Sequence, residues 1–132
     1  MKVADIMRTD VKTVDLDATV GEAIATLSDV HVSALPVTDP RGQIVGVLST
    51  TDILGALSET TEPEVREQLF EEPVRDVMTP RSRVIGPEAD VLDAAREMLR
   101  LDVHRLFVES HGRLMGVISQ TDIVAAVAGA KI

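Results

Sequence analysis

Gly116-Val117-Ile118-Ser119-Gln120-Thr121-Asp122-Ile123 decides the fold. An apolar strand pattern runs into a polar turn and then into a helix, whose start is marked by Ser119 with Asp122 three residues on. The same stretch stands earlier as Gly46-Val47-Leu48-Ser49-Thr50-Thr51-Asp52-Ile53. One strand–turn–helix junction occurring twice marks an internal duplication. Sliding the sequence on itself extends the match, aligning Val3–Leu57 with Val74–Val127 across one gap at a hairpin turn.

Outward from the junction, each copy reads the same way. The openings are Asp5-Ile6-Met7 and Asp76-Val77-Met78, followed by β-prone segments at Val11–Val14 and Ser82–Ile85. Thr19-Val20-Gly21-Glu22 has capping-box form, and Asp90-Val91-Leu92-Asp93 is a weaker version of it. The stripes Val20, Ala23, Ile24, Leu27 and Val91, Ala94, Ala95, Met98 follow at helical spacing, predicting amphipathic helices with one buried face. A hairpin comes next. Ala34–Val37 and Ile44–Leu48 flank the turn residues Asp39-Pro40-Arg41-Gly42, and the second copy pairs Arg105–Val108 with Leu114–Ile118 around Ser110-His111-Gly112. Helices at Thr51–Leu57 and Thr121–Ala128 close the copies. Between them Pro63 suits the first position of a helix, with Val65 and Leu69 as i,i+4 partners. The expectation is an α/β (α+β) protein with two β-α-β-β-α repeats, residues 1–60 and 74–130, joined by an acidic helix over 61–73.

Composition narrows the function. The 132 residues suffice for one compact domain or two small ones sharing a core. Aromatics are only 2%, without Trp or Tyr, so the core must be Val, Ile, Leu, Ala and Met, and stacking platforms for single-stranded nucleic acid are missing. A net charge of −9 opposes binding to nucleic-acid backbones and anionic membranes, while leaving room for a small anion where a few basic residues converge. There is no cysteine, hence no disulfide and no thiolate metal site. Met1–Met7 has no signal-peptide apolar core, and no apolar run approaches a membrane span. The expectation is a soluble, cytoplasmic protein.

Several patterns carry no chemistry. Asp15-Leu16-Asp17-Ala18-Thr19 begins like a calcium loop, but its sixth position is Val20 and its twelfth Thr26, so no calcium site is expected. His31, His104 and His111 lack metal-ligand spacing, and His31 reads as a surface or helix-end residue. Glu59, Glu62, Glu64, Glu67, Glu71 and Glu72 read as a solvated helix face. No Ser-His-Asp order, Walker loop or catalytic carboxylate pair stands out, so no catalytic residue is expected.

The order of these pieces, met twice, resembles a tandem pair of CBS domains (named after cystathionine β-synthase), a Bateman module. The Asp-(Ile/Val)-Met openings, Val32-Ser33-Ala34-Leu35-Pro36-Val37, Val103-His104-Arg105-Leu106-Phe107-Val108 and the two Gly-x-x-Ser-x-Thr-Asp-Ile junctions carry the likeness, over about Val3–Gly129. The resemblance implies two repeats packed about a pseudo-twofold axis and a homodimer. It also implies clefts between repeats that take adenosine compounds: AMP, ADP, ATP, S-adenosylmethionine, NAD or cyclic dinucleotides.

Within that expectation the residues have assignable chemistry. The Asp122 carboxylate can accept both vicinal hydroxyls of a ribose. Ser119 and Thr121 stand at a helix start that favours phosphate. His104 and Arg105 resemble the stretch that contacts nucleotide phosphate in the gamma subunit of AMP-activated protein kinase. The adenine slot would come from Lys12, Thr13 and Val32 of the other repeat. The mirror cleft would use Ser49, Thr51 and Asp52, with Ser33 and Ala34 in place of the His–Arg pair and Arg83 as a single charge, and is expected to be the weaker. Ser119-x-x-Asp122 and Ser49-x-x-Asp52 read equally as capping boxes, stabilising a helix by roughly 1 kcal/mol without any ligand. Phe107, where the first copy has Pro36, reads as core.

The function these readings predict is a non-enzymatic sensor of adenine nucleotide that requires no cofactor and no metal. It would signal in trans to a partner protein and contact neither nucleic acid nor membrane. The competing reading is a constitutive dimerisation scaffold with empty clefts. Leu54, Leu57, Val124 and Val127 are candidates for a helix–helix interface, or equally for core.

Overall fold

The computed structural model describes residues 1–59, 62–80 and 83–129. In chain order the elements are α1 (Val3–Ile6), β1 (Val14–Asp15), α2 (Val20–Val30), β2 (Ala34–Thr38), β3 (Ile44–Ser49), α3 (Thr50–Ser58) and α4 (Pro63–Glu71). A 3-10 turn (Val74–Asp76) leads to β4 (Thr79–Pro80), β5 (Val84–Ile85), α5 (Val91–Leu101), β6 (Arg105–Ser110), β7 (Arg113–Ser119) and α6 (Gln120–Ala128). This is the mixed α/β, two-repeat architecture expected. It divides into a central unit, Lys12–Ser82, and a terminal unit, Met1–Val11 with Arg83–Ile132.

The central unit holds a four-stranded sheet in the order β1-β2-β3-β4, with β1 parallel to β2 and the rest antiparallel. The terminal unit holds β5-β6-β7 in the same arrangement, and a bridge from Arg8 to Val117 occupies the place of a fourth strand. Both hairpins carry a register shift at equivalent points, Val37/Thr38 and Val108/Glu109. They differ at the turn. His111 (φ 53°) and Gly112 (φ 82°) make a two-residue loop of the kind with both central φ angles positive. The longer central turn is fixed by the Asp39 carboxylate, which accepts the N–H groups of Arg41 (2.9 Å) and Gln43 (3.0 Å).

Helix ends follow the sequence logic. Thr19 and Glu22 exchange both capping hydrogen bonds, whereas Asp90 only accepts from Leu92 N (2.8 Å). Pro63 starts α4. His31 and Asp102 terminate α2 and α5 in left-handed conformation, so His31 is an exposed helix-end residue.

The cores show which segment serves which copy. Val3 opens the first copy, yet it is fully buried with Val91, Ala94, Met98, Leu106 and Ile118 of the second. Val74 opens the second copy and is fully buried with Val14, Ala23, Leu27, Leu35 and Leu48 of the first. Val3 N donates to Ala89 O (2.8 Å), and Val74 N donates to Ala18 O (2.8 Å), the same bond at equivalent positions. Each compact unit is therefore completed by the opening of the other copy. Burying a side chain of this size stabilises by roughly 1.5–3 kcal/mol, so the exchanged valines are a substantial part of each small core.

Phe107 is buried to 1% exposure beside Leu106 and Val108, and it fills core. Leu57 packs against the central core, so it is intramolecular, while Leu54, Val124 and Val127 are exposed.

Candidate functional site

Each repeated junction is built by a strand that ends in a capping serine. In the terminal unit, Ser119 Oγ accepts from Asp122 N (3.1 Å) and Asp122 Oδ2 accepts from Ser119 N (2.9 Å). In the central unit, Ser49 Oγ accepts from Asp52 N (3.1 Å), and Asp52 Oδ2 accepts from Ser49 N (2.9 Å) and from the Ser49 hydroxyl (3.0 Å). Capping thus occupies one carboxylate oxygen and leaves Oδ1 for another partner.

The exchanged opening segments supply that partner. Asp122 Oδ1 accepts from Arg8 Nε at 3.0 Å, and Asp52 Oδ1 accepts from the Thr79 hydroxyl at 2.8 Å. Arg8 and Thr79 hold equivalent positions, each directly after the Met of its opening. Arg8 exchanges both backbone hydrogen bonds with Val117 (2.8 Å each), as β4 pairs Thr79 with Val47. This close crossing explains the glycine at the head of each junction. A Cβ on Gly116 would lie 2.5 Å from Arg8 O, and one on Gly46 would lie 2.7 Å from Thr79 O and from Met78 Sδ.

Around Asp122 the terminal unit gathers four other sequence candidates: His104, Arg105, Ser119 and Thr121. Arg105 opens β6 opposite Ser119, the exposed His104 accepts from Gln120 N through its carbonyl (2.9 Å), and Thr121 is exposed in the first turn of α6. The Asp122 side chain is only 8% exposed, whereas that of Arg8 is 75% exposed. A carboxylate so buried needs its counter-charge, and losing it would leave Oδ1 without a partner among the described residues.

Around Asp52 the central unit gathers Ser49, Thr51, Ser33 and Ala34, with Ala34 opposite Ser49 and Ser33 O accepting from Thr50 N (2.9 Å). Lys12 and Thr13 are exposed in this unit just before β1, and Val32 lines an apolar groove of about 330 Å³ with Ile24, Leu27, Ile53 and Leu54. Arg83 belongs to the terminal unit, where its carbonyl accepts from Phe107 N (2.8 Å). A cleft of about 580 Å³ between α3, α4 and the 3-10 turn is lined by Asp52, Glu59, Glu72 and Asp76, together with Thr51 and Gln68. Among the described residues no Lys, Arg or His lines it. The two junctions therefore share a capping device and differ in charge.

Arg8 and Thr79 are not among the sequence candidates. The available signal was a polar residue following Met at both copies of a repeated opening. Among the described residues no group of three or more His, Asp or Glu is placed to hold a metal ion, and no helix is long and apolar enough to cross a membrane.

Comparison with known proteins agrees with this architecture. The CBS domain model matches twice, at residues 3–59 and 74–129. The chain belongs to the CBS domain family. It is 32% identical over 123 residues to the Methanocaldococcus jannaschii protein MJ1225, spanning 92% of this chain and 41% of that one. It is 31% identical to inosine-5'-monophosphate dehydrogenase of the same organism, over 93% of this chain and 23% of the enzyme. The chain thus spans less than half of these curated relatives. Among solved structures, CBSX2 of Arabidopsis thaliana, a CBS-pair protein crystallised in complex with AMP, superposes with a TM-score of 0.84 at 29% identity, covering 99% of this chain and 98% of that one.

Proposed function

We propose that this chain is a non-enzymatic regulatory module that takes an adenosine-containing nucleotide at its Ser-x-x-Asp junctions and signals occupancy to a partner protein. The observation that carries the reading is the division of labour on Asp122. Oδ2 is committed to the cap, and Oδ1 accepts from an arginine whose side chain is exposed. Ribose hydroxyls, which are hydrogen-bond donors, suit that oxygen. Phosphate suits Arg105, His104 and the N-terminal turn of α6. The AMP found with CBSX2, a protein of the same size and fold, supports an adenine ligand. For signalling, the ligand must bind one state of the module better than another.

A second reading, a self-associating scaffold, has its own support. Leu54, Leu99, Val124 and Val127 are 65%, 77%, 66% and 56% exposed on α3, α5 and α6, beside apolar grooves in each unit.

One experiment separates the two. Thermal unfolding is followed against AMP, ADP, ATP, S-adenosylmethionine, NAD and cyclic di-AMP, at two protein concentrations, with Asp122→Ala and Arg105→Ala alongside. A ligand at ~100 times its dissociation constant adds about 2.7 kcal/mol, a shift of several degrees at this size. The sensor reading expects such a shift with an adenine compound and its loss in both variants. No shift with any ligand, with a melting temperature that rises with protein concentration, would replace it with the scaffold.

A further inference from the structure

We propose that Arg8 is the residue that makes the terminal junction select phosphorylated nucleosides over unphosphorylated ones, by moving from Asp122 to the ligand's phosphate. The inference rests on the reading of Asp122 as a ribose acceptor and adds the chemistry that decides which ribose compound is taken.

Arg8 stands on the one carboxylate oxygen that capping leaves available. A ribose that takes Oδ1 must displace it. Displacement by a bare nucleoside breaks a charge-assisted hydrogen bond and returns only neutral donors to a nine-tenths-buried carboxylate. The arginine gains nothing but water. A nucleotide changes the balance, because its phosphate gives the guanidinium a new anionic partner at the moment the old one is taken. The phosphate and the displaced carboxylate are joined through one ribose, within the sweep of one arginine side chain. The Arg8 backbone is anchored by two hydrogen bonds to Val117, while its side chain is three-quarters exposed, so the head group can move without disturbing the sheet.

The central unit is the built-in contrast. Thr79 satisfies the equivalent oxygen of Asp52 with a neutral hydroxyl, which a ribose hydroxyl can replace like for like. Among the described residues the charged groups lining the cleft beside Asp52 are Asp52, Glu59, Glu72 and Asp76, which repel phosphate.

The test measures AMP and adenosine binding by calorimetry on the full chain carrying Asp52→Ala, so that the terminal junction is read alone. Arg8→Thr, Arg8→Gln, Arg8→Lys and Asp122→Ala are added in turn, with circular dichroism to show each is folded. Expected is a parent that prefers AMP. Arg8→Thr and Arg8→Gln should lower that preference by about tenfold or more, the size of one charge-assisted hydrogen bond. They should do so by weakening AMP while adenosine holds or tightens. Arg8→Lys should keep most of the preference, and Asp122→Ala should weaken both ligands. A preference unchanged in the two neutral variants, or equal loss of both ligands, would overturn the role of Arg8 and leave Asp122 standing. Binding of neither ligand by the parent, or binding indifferent to Asp122→Ala, would overturn the ribose reading and this proposal with it.

Discussion

The two junctions of this protein are the same local device given different counter-groups. Ser49 with Asp52 and Ser119 with Asp122 make the same reciprocal cap, to within 0.1 Å in the bonds they share. What separates them arrives from far along the chain. Thr79 is 27 residues from Asp52, and Arg8 is 114 residues from Asp122. A local motif therefore specifies where a carboxylate is held, and a distant segment specifies what that carboxylate is held against. Duplication copied the first property and left the second free to diverge.

The largest test of this comparison strikes the crossing point itself. Gly116→Ala and Gly46→Ala each force a methyl group onto backbone oxygen of the opening segment, and each should destabilise by about 1–3 kcal/mol in urea unfolding. Gly55→Ala is the control, because nothing lies within 4 Å of its added Cβ in α3, and a gain of about 0.5–1 kcal/mol is expected there. Equal behaviour of the three would refute the close-approach account. A smaller effect comes from the first helices of each copy. Thr19→Ala removes a reciprocal cap and should cost about 1 kcal/mol, and Asp90→Ala, which loses a single hydrogen bond, should cost less.

The smallest effect concerns the Glu97–Arg100 pair on α5, where α2 has Thr26 and Asp29. The hydrogen bond from Arg100 holds the Glu97 carboxyl below its ordinary 4.5. Its contribution is therefore complete above that value and fades as pH falls through the lowered one. Because the pair is solvent-screened, Glu97→Gln should leave the neutral-pH melting temperature nearly unchanged. The small loss should be present at neutral pH and vanish in acid, flattening the acid limb of a stability–pH curve by the same small amount. A loss at neutral pH as large as a helix cap would show the pair to be structural.

The elements legible in the sequence are those whose causes are local. The capping boxes at Thr19, Ser49 and Ser119, the hairpin turns at Asp39 and His111, and Pro63 at the head of α4 declare themselves within a few residues. The two-residue strand β4 and the four-residue α1 do not, and β1 and β5 show only as β-prone segments with looser bounds, Val11–Val14 and Ser82–Ile85. Such segments are too short to show a period, and they are ordered by what they pack on. The same physics hid half of the candidate site. Asp122 and Asp52 follow from the repeated Ser-x-x-Asp, whereas Arg8 and Thr79 gain meaning only when the chain returns to cross Gly116 and Gly46. Leu57 shows a lesser ambiguity, since an apolar helix position does not declare whether it turns to its own core or to solvent.

The exchange of openings gives covalent order and folding order different boundaries. A nick near residue 60 would yield fragments that match the two sequence repeats, yet each would carry the wrong first valine. The N-terminal piece would hold Val3 without Val91 and Ala94, and its own cluster around Val14 and Leu35 would lack Val74. Neither piece could close its interior alone, and each would supply what the other is missing. In the language of split proteins, the intact chain is a heterodimer of complementary fragments whose subunits happen to be tethered.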